Sequence, residues 1–131
     1  MRGYGKAAVM AVDYYISGEA QSPLKAWMKA TRSVFRSHHS ITKGCPKSAF
    51  LGLCEDGMVS GIPPGNYTSG WKNKKYAVNA AKYLLEHAPS YISEAELWDI
   101  ARQGVQNPAH NHSGQVSIVL ALWRAGKLVR P

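Results

Sequence analysis

The sequence predicts a mainly α-helical protein: two diverged tandem trihelical units, winged-helix-like in order, packed as one compact domain with at most short β pieces. Two observations carry this expectation. Apolar residues recur at helical spacing in six segments, and the segments of the second half repeat those of the first in the same order.

The repeat is read in blocks. Ser22, Trp27, Ala30 and Val34 meet Ser93, Trp98, Ala101 and Val105 at a shift of 71. Ser48, Leu51, Leu53 and Gly57 meet Ser117, Leu120, Leu122 and Gly126 at a shift of 69. The opening segments Ala7–Tyr15 and Ala77–Leu85 match more loosely at a shift of 70. Any one block alone would be weak, but three in one order at nearly one shift indicate a duplicated unit. The expected boundaries are residues 1–70 for the first unit with its connector and 71–131 for the second.

In each unit a first helix is expected over residues 5–17 and 74–87. The second, over 23–36 and 94–104, begins at a serine suited to N-capping. Pro23 follows the first of these caps, where a missing N–H costs nothing. Ser93 and Glu96 form a capping-box pattern. The third helix, over 46–56 and 114–125, ends at Gly57 or Gly126, the residue type that accepts a left-handed turn. Short extended pieces follow, Met58-Val59-Ser60 and Lys127-Leu128-Val129. The run from Gly61 to Gly70 is rich in turn residues and reads as the connector. Trp27, Trp98, Trp123, Phe50, Leu51, Leu53, Leu120 and Leu122 are the expected core.

Helix, helix, turn, helix and short strand is the order of a winged-helix unit. Residues 76–130 resemble winged-helix modules of the HARE type, through a buried Trp in the second helix and a leucine-rich third helix. The whole chain resembles a bacterial family of unassigned function through Gly5-Lys6-Ala7-Ala8, Cys45–Leu53 and Gly61–Tyr67. That likeness implies a shared fold and brings no activity or site with it.

At 131 residues the chain is long enough to bury one core. No apolar run approaches the roughly 20 residues that span a bilayer, and no signal-type stretch follows the basic opening segment. The expectation is therefore a cytoplasmic protein with no membrane partner. Net charge is +8, from 16 basic and 8 acidic residues, which suits an anionic partner and equally suits simple solubility.

The charge is most organised at Lys25, Lys29, Arg32 and Arg36. At 100° per residue these fall within about 60° of one another, opposite Leu24, Trp27, Met28, Val34 and Phe35. A purely basic stripe can follow phosphates, and it can also be an ordinary solvated face. Lys72, Lys74 and Lys75, interleaved with Trp71 and Tyr76, fall where a first wing would lie. There they could contact phosphates while an aromatic stacks on a base. The alternative is a linker whose aromatics pack on the core. The third helices carry few groups that read base edges.

These readings lead to a non-catalytic protein that binds DNA or RNA through the backbone with weak sequence specificity. The alternative is an interaction or inhibitor module for an acidic protein partner. No cofactor is expected. His38 and His39 with Cys45 and Cys54 match no standard zinc spacing. Cys45, before Pro46 at a helix start, could pair with His38 or His39 as a nucleophile, but Cys-Pro is also a common structural boundary. Cys54 reads as a core thiol, and Glu55-Asp56 as a solvated helix end.

Overall fold

A computed structural model of the protein describes residues 3–131; Met1 and Arg2, the start of the basic opening segment, lie outside the described residues. Seven helices form among them: α1 (Gly3–Ile16), α2 (Pro23–Val34), α3 (His38–Thr42), α4 (Gly44–Glu55), α5 (Trp71–His87), α6 (Glu94–Ala101) and α7 (Gln115–Arg124). Six are the expected ones. The short α3, capped by the Ser37 hydroxyl accepting from the Ser40 N–H at 3.1 Å, was not expected.

Two of the expected helices end early. The helix expected over 23–36 stops at Val34, because Phe35 turns to an extended conformation and its N–H closes on the Thr31 carbonyl at 2.8 Å. The turn brings the Phe35 ring to within 4.6 Å of the Tyr4 ring, centroid to centroid. The helix expected over 94–104 stops at Ala101, where Arg102, Gln103 and Gly104 form a turn.

The caps follow the sequence logic. Ser22 accepts from the Lys25 N–H and Ser93 from the Glu96 N–H, each at 3.1 Å, and the capping box at Ser93 closes in both directions. Gly57 and Gly126 both adopt φ of +71°. In the first, the Met58 N–H reaches back to the Leu53 carbonyl at 3.0 Å; in the second, Lys127 reaches Leu122 at 2.8 Å. These are the same helix-ending motif in both copies.

The short extended pieces pair with each other. Val59 and Leu128 form one antiparallel bridge, flanked by Ser60 N–H to Lys127 O at 2.8 Å and Val129 N–H to Met58 O at 2.9 Å. All three equivalences, 58/127, 59/128 and 60/129, are the 69-residue shift of the repeat. The pairing therefore maps onto itself when the copies are exchanged. No hairpin wing is present among the described residues.

The helices pack across the copies as well. α1 lies against α2 and against α7, while α5 lies against α6, α4 and α7. Burial also fixes the register of the first helices. Ala7, Ala8, Ala11 and Val12 are buried, as are Tyr76, Ala77, Ala80 and Ala81. That is a shift of 69, one residue from the expected 70, because the shared pattern is the buried face and not residue identity.

The cross-copy contacts are close. A methyl on Gly5 would sit 2.8 Å from Ala121 Cβ, and one on Gly52 would sit 2.5 Å from Lys74 Cβ and 2.9 Å from its Cα. Gly5 and Lys74 are equivalent positions, as are Gly52 and Ala121, so these are one contact made twice. Glycine is required on α1 in one case and on α4 in the other.

The core joins both copies and contains seven of the eight expected residues. Trp123 is the exception: it is half-buried, at the edge where α7 meets solvent. Among the described residues, no helix is long and apolar enough to cross a membrane.

Substitution Gly52→Ala is expected to cost about 1–3 kcal/mol of stability, since the backbones of α4 and α5 must separate. Gly44→Ala, where an added methyl meets nothing within 4 Å, should change stability by less than about 0.5 kcal/mol. Urea denaturation of the two variants checks the contrast.

Candidate nucleic-acid interface

The face of α2 that points outward is set by what anchors the face that points inward. Pro23, Ala26, Trp27, Ala30 and Thr31 are buried. The Trp27 ring stacks on Phe50 at 5.2 Å, and the Thr31 hydroxyl donates back to the Trp27 carbonyl at 3.1 Å. Lys25, Lys29 and Arg32 are thereby turned to solvent. The Lys29 ammonium also lies 5.1 Å from the centre of the Tyr14 ring, a cation–π contact that steadies it.

Two parts of the expected stripe differ. Arg36 is exposed but lies beyond the end of α2, so the helical stripe has three members and Arg36 follows the turn at Phe35. Leu24 and Met28, expected on the apolar side, are 42% and 37% exposed and border the cations along one edge. The buried face of α2 is narrow, centred on Ala26, Trp27 and Ala30, and does not reach them.

The second group of cations is not on a wing or a flexible linker. Residues 71–76 form the first turns of α5, and its three lysines have separate fates. Lys72 donates to the Asn107 carbonyl. Lys74 donates to Glu55 at 2.7 Å and to Asp56 at 2.8 Å. Lys75 is exposed and, among the described residues, has no ion-pair partner. Trp71 is 67% exposed and Tyr76 is buried, so the reading that both aromatics pack on the core holds for Tyr76 alone.

Lys74 is held by a feature the sequence concealed. Glu55 is not a solvated helix end: its carboxylate is 11% exposed and accepts from the Tyr67 N–H at 2.6 Å, the Thr68 N–H at 3.0 Å and Lys74. It thereby ties the connector and α5 to the end of α4. The Lys74 hydrogen bond, followed by that from Thr68, favours the ionised carboxylate and holds its pKa below the usual 4.5. Hydrogen bonds to Asp56 and then Glu55 raise the Lys74 ammonium above its ordinary value. Gly52 allows the arrangement, since the Lys74 stem crosses α4 where a side chain would block it.

Cys45 is half-buried in the first turn of α4, while His38 and His39 are exposed on α3. Cys54 is fully buried in the core, and desolvation pushes its thiol far up. Among the described residues, no three His, Cys, Asp or Glu side chains gather as a metal site would require.

Lys82, exposed on α5, was not among the expected site residues. Its spacing of seven from Lys75 and eleven from Trp71 could have placed it on their face.

The molecule is thus an all-helical protein, with cations left free on α2 and on one side of α5. The chain belongs to a family of unknown function (DUF6979), matched over residues 1–129. This agrees with the whole-chain resemblance; the likeness to HARE-type modules gains no support from it. Neither the curated proteins nor the solved structures yield a match.

Glu55 stabilises the folded state while ionised. Because its folded-state pKa is depressed, that contribution is full above the unfolded value and is lost as pH falls through the folded one. Glu55→Gln should lower stability at pH 7 by on the order of 2 kcal/mol. Its deficit against the parent should shrink as pH falls below the ordinary value of 4.5. Denaturant titrations at neutral and acid pH measure both.

Proposed function

We propose that the protein binds nucleic acid without catalysis, through contacts to the phosphate backbone made chiefly by Lys25, Lys29 and Arg32. The observation that carries this reading is the outer face of α2. It presents three exposed cations, the helix contains no acidic residue, and among the described residues none of the three has an ion-pair partner. A lysine or arginine left without a carboxylate keeps its full charge available for a phosphate. Arg36 and Lys75, both exposed, add to the same attraction.

The third helices support weak sequence specificity. Residues 49–54 of α4 and 118–122 of α7 are buried, so neither helix can lie in a groove and present side chains to base edges. Binding of this kind depends on salt more than on sequence.

A second reading is favoured by one observation. Leu24 and Met28 are exposed along one edge of the face that carries Lys25, Lys29 and Arg32, and adjoining apolar and basic surfaces also suit an acidic protein partner.

Fluorescence anisotropy with labelled DNA and RNA across a salt series separates the two. Under the first reading the variant Lys25→Gln/Lys29→Gln/Arg32→Gln weakens binding, and the slope of log affinity against log salt becomes shallower by about 2–3. Unchanged affinity in that variant would remove α2 as the interface. Under the second reading, no nucleic acid binds even at low salt.

A further inference from the structure

The side of α5 that faces solvent carries a second arrangement of charge and aromatic surface. Trp71 stands at the first residue of the helix, 67% exposed, whereas Trp27 and Trp98 are buried and Trp123 is half-buried. An indole that could cover a large apolar area is left in water. Lys75, Val78 and Lys82 follow it at spacings of four, seven and eleven, which places all four within about 60° of one another on the helix. Together with Lys74 and Asp56 they line a groove of about 370 Å³.

The charges in this groove are not equivalent. The Asp56 carboxylate is held by Lys74 at 2.8 Å, and Lys74 is shared with Glu55. Lys75 and Lys82 are exposed, and among the described residues neither has an ion-pair partner. The groove thus offers a flat aromatic at one end and two free ammonium groups along its length. Lys75 lies about 6 Å along the axis from Trp71, and Lys82 about 10 Å beyond.

We propose that this groove is a subsite for unpaired nucleotides, in which Trp71 stacks on one base while Lys75 and Lys82 hold neighbouring phosphates. Every base has a π face, but only an unpaired one can leave its stack to meet an indole. Duplex DNA offers phosphates and hides those faces. The groove therefore gives the protein a preference for single strands, which the outer face of α2, with no exposed aromatic, does not supply. This inference rests on the nucleic-acid reading but on a different helix, with Trp71 and Lys82 as its own residues and Lys75 shared.

The test compares the full-length protein with Trp71→Ala, Trp71→Phe and Lys75→Gln/Lys82→Gln. Each is titrated into a labelled oligothymidylate and into a labelled duplex of equal length. Trp71→Ala should weaken single-strand binding about tenfold and leave duplex binding and the single-strand salt slope unchanged. Trp71→Phe should keep most of the affinity. The lysine pair variant should make the single-strand slope shallower by about 1.4. Trp71 is exposed, so its replacement leaves the core intact. Parent protein that binds the single strand while Trp71→Ala binds it equally well would overturn the subsite and leave the α2 reading standing. Equal weakening of single strand and duplex would overturn the single-strand preference. Parent protein that binds neither oligonucleotide would overturn both proposals.

Discussion

Everything else in the molecule depends on the way the first helix of each copy packs against the third helix of the other. α4 and α7 are apolar around most of their circumference, and such a helix is stable only when covered on all sides. α1 covers α7, and α5 covers α4. The backbones approach closely enough that one side of each contact must lack a side chain: Gly5 beneath Ala121, Gly52 beneath Lys74. The bridge between Val59 and Leu128 closes the same relationship at the ends of α4 and α7. Without these contacts α4 and α7 would each expose an uncovered apolar surface.

This packing also decides which cations are available. Lys74 sits at the equivalent of Gly5, across α4, and its ammonium ends between Glu55 and Asp56. Lys127 pairs with Asp13 at 3.3 Å. Internal ion pairs therefore occupy Asp13, Glu55 and Asp56, three of the four acidic residues before residue 70. The net charge of +8 is then carried to the surface by residues such as Lys25, Lys29, Arg32, Lys75 and Lys82. A rigid core holds these side chains on two helices whose inner faces are fixed by Trp27 and Tyr76.

What the sequence made legible was local or periodic. The N-caps at Ser22 and Ser93, the glycine stops at 57 and 126, and the buried residues of the third helices follow from neighbours within a few positions. What it hid depends on contacts between distant residues. Phe35 leaves the helix to meet Tyr4, and this removes Arg36 from the stripe. Glu55 looks like a helix end until Tyr67, Thr68 and Lys74 fold onto it. Trp71 follows the same logic in reverse: an indole is expected inside, and it lies outside because it precedes the buried face of α5, which begins at Tyr76. The repeat itself was visible, yet the register of its first helices became clear only from which positions are buried.

Native-state hydrogen exchange tests the mutual packing of the two copies most directly. The Ser60 and Val129 amides, which bond across the copies, should exchange only by global unfolding, as should the core amides of α4 and α7. All four sets would then report one free energy of opening. If the amides of one copy opened at a clearly lower free energy than those of the other, the copies would be separate folding units, and the packing between them would not be what holds the molecule together.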